Sequence, residues 1–140
     1  MNDADLGLKT QMDDYLAELF HEVKKGEYDN ERQRVELPLA EQLISDGHKI
    51  KRQVKCTLGR IDILDYTTKE IIECKKIGTE RDLFDAARQL RDYRFDFPDY
   101  GLVIAVTYVE DEAEWFASAL RKVGFKILRL PVYDLGKPQK

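Results

Sequence analysis

The chain has 140 residues and a mass of 16.4 kDa, the size of one ordinary domain. With 43% hydrophobic and 36% charged residues, its composition excludes a disordered chain and supports a core without disulfides. No apolar run approaches the roughly 20 residues that cross a bilayer, and the first residues do not resemble a signal peptide. Two cysteines are too few for a disulfide scaffold or a four-ligand zinc site. We therefore expect one cytoplasmic domain over residues 1–140.

The net charge of −4 hides an uneven distribution along the chain. Residues 1–31 hold nine acids and three bases, a net of −6, whereas residues 48–60 hold five bases and no acid, a net of +5. These bases are Lys49, Lys51, Arg52, Lys55 and Arg60. Alone, such a stretch is as typical of a solvated strand edge as of a nucleic-acid-binding surface.

Two helices are predicted before the basic stretch. Apolar residues recur at spacings of three and four over residues 8–25, and Gly26 suits the end of that helix. A second helix is predicted over residues 32–46 and ends at Gly47. Pro38 lies inside it, so we expect the proline either to kink this helix or to mark its true start.

Strands and helices then alternate to the end of the chain. Three short strands are predicted at 49–56, 60–66 and 70–75, with turns that favour a meander of hairpins. A helix at 80–95, a buried strand at 102–108, a helix at 111–123 and a strand at 125–130 follow. The tail from Pro131 is predicted to be irregular. This order predicts an α/β domain with a mixed central sheet.

Two acids and a lysine lie within the apolar second and third strands. Side chains alternate across a strand, so Glu73 and Lys75 share a face, and pairing through the turn at 67–69 places Asp62 beside Glu73. Buried charges are costly unless they are paired or bind a metal. Two carboxylates suit Mg²⁺, and a neighbouring lysine can orient water or stabilise charge on a phosphate. The alternative is a salt bridge on the exposed face of an edge hairpin.

Asp62, followed after ten residues by Glu73-Cys74-Lys75, resembles the signature of the PD-(D/E)XK nuclease superfamily. Residues 32–108 also resemble its core order of helix, three-strand meander, helix and strand. The resemblance implies a restriction-endonuclease-like αβββαβ core with a mixed sheet, an extra N-terminal helix and a C-terminal αβ extension. Ile61 stands where the family name has a proline.

The resemblance to the RecB-like and Holliday-junction-resolvase-like branches implies further site residues. One is a glutamate on the first core helix, for which Glu36 is favoured over Glu41 because it falls within the apolar stripe of that helix. A charge at the start of the helix is the alternative explanation for Glu36. Gln89 and Tyr93 resemble the QxxxY motif, although their spacing alone also fits an ordinary helix edge.

These features together predict a Mg²⁺-dependent DNA endonuclease, with Mn²⁺ as a possible substitute. Asp62 and Glu73 would bind the metal with help from Glu36, Lys75 would activate water, and Gln89 and Tyr93 would line the site. The basic residues of 48–60, together with Lys76, would contact DNA phosphates. No phosphate-binding loop occurs, so we expect no nucleotide cofactor. The N-terminal helix would build a homodimer or a higher homo-oligomer.

Two other classes of protein fit the same sequence. One is a catalytically inactive DNA-binding or regulatory module with this fold, resembling the excision-controlling factors of mobile elements. The other is an ordinary protein-interaction domain, which predicts no salt-dependent DNA binding.

Overall fold

Helices and strands follow the predicted order in the computed structural model, which describes residues 3–26, 30–131, 133–134 and 137–138. The helices are α1 (Asp3–Lys24), α2 (Asn30–Ser45), α3 (Glu80–Tyr93) and α4 (Glu114–Lys122), the last preceded by a 3₁₀ turn at Asp111–Ala113. The strands are β1 (Ile50–Cys56), β2 (Gly59–Asp65), β3 (Glu70–Cys74), β4 (Ile77–Gly78), β5 (Gly101–Val106), β6 (Tyr108–Val109), β7 (Phe125–Arg129), β8 (Tyr133–Asp134) and β9 (Lys137–Pro138). No helix within the described ranges is long and apolar enough to cross a membrane.

The central sheet has five strands in the order β1-β2-β3-β5-β7. The first three form an antiparallel meander, and β5 and β7 then add in parallel. Helices α3 and α4 make the crossovers that these parallel neighbours require. The prediction of an α/β fold with a mixed sheet is confirmed.

The apolar side chains divide into two cores, one on each face of the sheet. The α3-side core joins strand residues such as Ile61 and Ile71 to Leu83 and Leu90 of α3. The α2-side core joins strand residues such as Ile63 to helical residues that include Tyr15 of α1. Because both faces are covered by helices, the strand β5 is apolar on both sides, as its sequence run indicated.

Helix α3 shows how the local sequence fixes these boundaries. Its buried residues recur at spacings of three and four and face the sheet. Thr79 caps its start, where the hydroxyl accepts a hydrogen bond from the Asp82 backbone N–H at 3.0 Å. This cap begins the helix at the residue predicted from the sequence.

Helix α2 contains Pro38 and still runs from Asn30 to Ser45. The proline is exposed and lies in the interior of the helix, so it does not mark the start. Helix α1 packs against α2 through Tyr15, whose hydroxyl lies 3.3 Å from a Glu41 carboxylate oxygen. Gln11 joins α1 to the start of β1, because its amide oxygen accepts from the Ile50 N–H at 2.8 Å. Both residues tie the N-terminal helix to the core.

Two small ladders lie outside the central sheet and differ from the prediction. Strands β4 and β6 pair in parallel, directly beyond the carboxyl ends of β3 and β5. In the tail, which was predicted to be irregular, β8 and β9 pair as two-residue antiparallel strands. Strands of this length are too short to leave a periodic signal in the sequence.

Candidate functional site

The candidate site lies where strands β2 and β3 separate. Their ladder ends with the pair Ile63–Ile72, and the next residues in register would be Asp62 and Glu73. At that point Asp62 accepts a hydrogen bond from the Cys74 backbone N–H at 2.8 Å. Both acids are buried, with exposed fractions of 2% for Asp62 and 4% for Glu73. The strand register thus brings two buried carboxylates side by side.

Lys75 completes this group at the carboxyl end of β3. Its ammonium nitrogen lies 3.6 Å from Glu73 Oε2, and its side chain is about one-quarter exposed. The Lys75 backbone N–H donates to the Ala105 carbonyl at 2.9 Å, which anchors the residue against β5. A cation that is anchored at its backbone and has a partly exposed side chain can meet a substrate from solvent.

Glu36 is the fully buried acid of helix α2, whereas Glu41 is exposed. This difference agrees with the preference for Glu36 that the apolar stripe of the helix indicated. Its carboxylate accepts from Arg52 Nε at 2.8 Å and lies 2.6 Å from a terminal guanidinium nitrogen of the same arginine. The first-helix acid is therefore held by a cation from β1.

Arg52 corrects one prediction from the sequence. Its position in the sequence groups it with the DNA-binding bases, but it is 4% exposed and also binds Glu22 of α1 at 3.0 Å. Burial alone would lower the pKa of Arg52, but the charges of Glu36 and Glu22 outweigh this effect and raise it. Arg52 therefore joins α1, α2 and β1 inside the protein and is not part of a surface for DNA.

Gln53 is a site residue that the sequence analysis missed. Its amide nitrogen donates to Glu36 Oε1 at 2.8 Å and to Asp62 Oδ1 at 3.3 Å. This bridge connects the acid of α2 to the pair of acids between β2 and β3. No sequence signal marks Gln53, because a glutamine on a strand beside basic residues is unremarkable in composition.

Tyr93 lies beside the acids, as the resemblance implied. Burial raises the pKa of its phenol, and the charges of Glu73 and Asp62 raise it further, against a hydrogen bond with the Arg60 backbone that lowers it. The phenol therefore stays protonated at neutral pH and can donate a hydrogen bond. Its ring also packs closely on Gly59, where an added Cβ would lie 2.8 Å from Tyr93 Cε1.

Gln89 lies one helical turn before Tyr93 and is half-buried. Its amide oxygen is buried and has no hydrogen-bond partner within the described part of the chain. A buried amide acceptor usually has a partner, so this oxygen is available to a ligand or a water molecule. Gln89 therefore has a buried acceptor on the same helix face as Tyr93.

The remaining predicted DNA-binding residues do not form one cluster. Lys55 and Arg60 are exposed and are partners in the β1–β2 ladder, at the end where the Arg60 backbone meets Tyr93. Lys49 and Lys51 are also exposed, but Lys49 lies at the opposite end of β1, where its N–H donates to Thr67. Lys51 and Lys55 each lie two residues from Gln53 of β1, so both flank the site along the strand, whereas Lys49 precedes β1 at its far end.

Lys76 directly follows Lys75 and is half-buried. Its carbonyl accepts from the Thr107 backbone N–H at 3.0 Å, at the start of the small β4–β6 ladder. Its backbone is thus fixed beside the site.

Oxygen ligands for a divalent ion come from Asp62 and Glu73. No group of three His, Cys, Asp or Glu side chains that could hold a metal ion occurs among the described residues. Mg²⁺ does not need three such ligands, because it is commonly held by one or two carboxylates and keeps several waters. The neighbouring carboxylates therefore fit the ion by their chemistry.

No protein-family model, curated protein or solved structure matches this chain.

Proposed function

We propose that this protein is a Mg²⁺-dependent DNA endonuclease of the cytoplasm, built on a restriction-endonuclease-like αβββαβ core. The observation that carries the proposal is the placement of Asp62, which the Cys74 N–H holds beside Glu73 with Lys75 at the same strand end. Two buried carboxylates and one partly exposed ammonium are a costly arrangement for a structural role alone. They are suited to a site where a phosphate meets a cation.

Each residue of the site has its own role in the proposed hydrolysis of a phosphodiester. Asp62 and Glu73 would hold the divalent ion, with Glu36 assisting from α2. The ion, when bound, neutralises charge that develops on the phosphate and lowers the pKa of bound water. Lys75 would position the attacking water through its ammonium group, and its partly exposed side chain can reach a bound phosphate. Tyr93, a protonated phenol near both acids, would supply a hydrogen-bond donor at the site.

DNA would approach along the end of the β1–β2 hairpin. Lys55 and Arg60 are exposed there, next to the site, and suit contacts with backbone phosphates. Such contacts read the DNA backbone and carry no base sequence. We therefore propose recognition of branched or otherwise structured DNA, of the kind found in repair or in the movement of mobile elements.

A cleavage assay with a matched lysine control tests the proposal. Wild type and Lys75→Ala are incubated with Mg²⁺ and duplex, single-stranded or four-way-junction DNA. Lys126→Ala is the control, since Lys126 lies 3.7 Å from Glu70 of the same strand β3, in a pair resembling that of Lys75 and Glu73. We expect the wild type and Lys126→Ala to cut at least one DNA, and Lys75→Ala to be strongly impaired. A wild type that cuts none of them, or equal cutting by Lys75→Ala, would contradict the mechanism.

The ion pair of Glu36 with Arg52 favours a second function, a catalytically inactive DNA-binding or regulatory module. A buried guanidinium already neutralises the acid that would assist a metal. Calorimetric titration with Mg²⁺ and Mn²⁺ separates the two functions. Metal binding that is lost in Asp62→Ala supports the enzyme, whereas DNA binding without any metal binding supports the module.

We also propose that the protein forms a homodimer or higher homo-oligomer through α1. Leu16, Phe20 and Val23 of this helix are 49%, 68% and 52% exposed, and they lie beside the stripe that packs on α2. An exposed apolar stripe of this kind is typical of a contact surface. Light scattering at micromolar concentration should report an assembly that Phe20→Ser weakens, and a monomeric wild type would exclude this contact.

A further inference from the structure

Strand β1 contains a residue with a backbone conformation that strands do not use. Gln53 has φ = +52°, in the left-handed region, although it lies in the middle of β1 and is not a glycine. Such a conformation costs free energy and persists only where surrounding contacts enforce it. Its neighbours Arg52 and Val54 keep ladder partners on β2, but the pair that would join Gln53 to Asp62 is missing from the ladder.

The faces of β1 are exchanged at Gln53. In a regular strand, Ile50 and Val54 would point to the same face. Here Ile50 packs on the α2-side core and Val54 on the α3-side core. The pairing register is the same on both sides of Gln53, so no residue has been inserted as in a β-bulge. Strand β1 therefore exchanges its two faces at Gln53 while its pairing register with β2 stays the same.

Strand β2 also exchanges its two faces, at the position opposite Gln53. Ile61 belongs to the α3-side core and Ile63 to the α2-side core, although they are two residues apart. The residue between them is Asp62, opposite Gln53. Both strands thus change face at the one position where Gln53 and Asp62 meet.

The exchange lets consecutive side chains of β1 reach one carboxylate. Arg52 Nε and Gln53 Nε2 bind different oxygens of Glu36, both at 2.8 Å. Side chains of neighbouring residues in a regular strand point to opposite faces, so this contact requires the left-handed residue. The same amide group reaches Asp62 Oδ1 at 3.3 Å. The strained backbone is therefore coupled to the bridge between the two acids.

We infer that Gln53 is a positioning residue that holds the Glu36 and Asp62 carboxylates towards each other for a divalent ion. Two carboxylates at neighbouring positions repel each other, and the two N–H groups of one amide can satisfy both at once. Each carboxylate oxygen has two lone pairs, so an oxygen that accepts from Gln53 can still face a cation. The consequence for metal binding rests on the proposed function, whereas the positioning of Glu36 does not.

Crystal structures of the metal-free wild type and of Gln53→Met test the positioning itself. Methionine has a similar shape and no hydrogen-bond donor, so we expect Glu36 to turn away from Asp62 and to keep its contact with Arg52. A Glu36 side chain that stays in the wild-type position in Gln53→Met overturns the inference. This measurement needs no metal and no activity, so it is decisive even if the proposed nuclease function fails.

Calorimetry with Mn²⁺ tests the consequence for metal binding. We expect Gln53→Met to bind Mn²⁺ about 10-fold to 100-fold more weakly than the wild type, as for residues that orient metal ligands. Gln42→Met is the control, because Gln42 makes its amide contact with Asp46 on the exposed side of α2. An unchanged Mn²⁺ affinity in Gln53→Met, beside a wild type that binds Mn²⁺, overturns the inference. A wild type without Mn²⁺ binding instead contradicts the proposed function.

Gln53→Gly separates the amide from the backbone strain. Glycine adopts positive φ freely, so this variant relieves the strain while it removes the amide. We expect Mn²⁺ affinity to fall as in Gln53→Met, but the melting temperature to be higher than that of Gln53→Met. If both variants lose stability and metal affinity in step, Gln53 supports the fold alone and the inference is wrong.

Discussion

The two ends of the β2–β3 hairpin have the same pair of residue types in different environments. At the end next to the turn, the turn end, Asp65 is paired with Glu70 in the ladder. At the other end, the open end, the ladder has stopped, and Asp62 and Glu73 are the next residues in register. Each end places an aspartate of β2 beside a glutamate of β3, so the residue types alone do not distinguish a turn from a site.

Their partners distinguish the two ends. Asp65 is fully buried and accepts from the N–H groups of Thr67 and Thr68 at 2.9 and 3.1 Å, and its second oxygen lies 2.8 Å from His48 Nδ1. The two threonine contacts close the turn, and the His48 contact ties it to the segment before β1. Asp62 instead has partners on β1 and β3 and lies beside a second buried acid. An acid that closes its own turn is structural, whereas an acid gathered with others across strands indicates a site.

The largest effects are expected when each of the two aspartates is replaced, which tests this comparison directly. Asp62→Ala should lose metal binding and reduce DNA cleavage by more than about 100-fold, because a metal contributes several kcal/mol to the transition state. Asp65→Ala should retain metal binding but lower the free energy of unfolding by about 2–4 kcal/mol, since the Thr67 and Thr68 N–H groups and His48 lose their shared acceptor. Cleavage assays and urea denaturation measure the two effects. The comparison fails if both variants lose activity and stability alike.

A smaller effect is expected at Gly59, where the hairpin meets Tyr93. An added Cβ would lie 2.8 Å from the Tyr93 ring, and φ at this residue is +153°. We expect Gly59→Ala to lower the free energy of unfolding by about 1–3 kcal/mol through overpacking and strain. Gly47→Ala is the control, because Gly47 also has a positive φ of +89° but its Cβ would meet nothing within 4 Å. Equal losses in urea denaturation would show that backbone strain alone matters at Gly59.

The sequence predicts the placement of these acids through regular geometry. The turn at 67–69 and strand alternation are enough to place Asp62 beside Glu73, and helical periodicity favours Glu36 over Glu41. The bridge through Gln53 could not be predicted, because it depends on a left-handed residue that no sequence period reports. Strand alternation would have pointed Arg52 and Gln53 to opposite faces. The burial of Arg52 was missed for a related reason, since its charge matches the exposed bases around it and its partner Glu22 lies 30 residues away.

The fall of the free energy of unfolding at high pH should depend on Tyr93, which lies near the acids of the open end. Tyr93 has a raised pKa in the folded protein, so its stabilisation is complete below pH 10 and is lost as pH rises above the ordinary value. We expect the free energy of unfolding to fall by about 1.4 kcal/mol per pH unit for this group above roughly pH 10. Tyr93→Phe should reduce this slope in urea denaturation. Tyr100→Phe, at a residue that packs against Phe97, is the control, and an equal change in both variants would contradict the role of the acids.

The smallest effects come from the lysines that flank the two ends. Lys126 is 64% exposed and its partner Glu70 is 22% exposed, so we expect Lys126→Ala to change the free energy of unfolding by less than about 0.5 kcal/mol.

The Lys75 side chain is 23% exposed and the Glu73 side chain only 6%, so the same substitution removes a cation from beside a buried carboxylate and should cost about 1–2 kcal/mol. Thermal melts of both variants, in buffers of low and high salt, measure the difference. Since water screens the turn-end pair already, salt should weaken it further and affect the open-end pair less. Two equally small, equally salt-sensitive changes would mean that both ends carry ordinary surface pairs, and burial would then be no reason to place a site at Glu73.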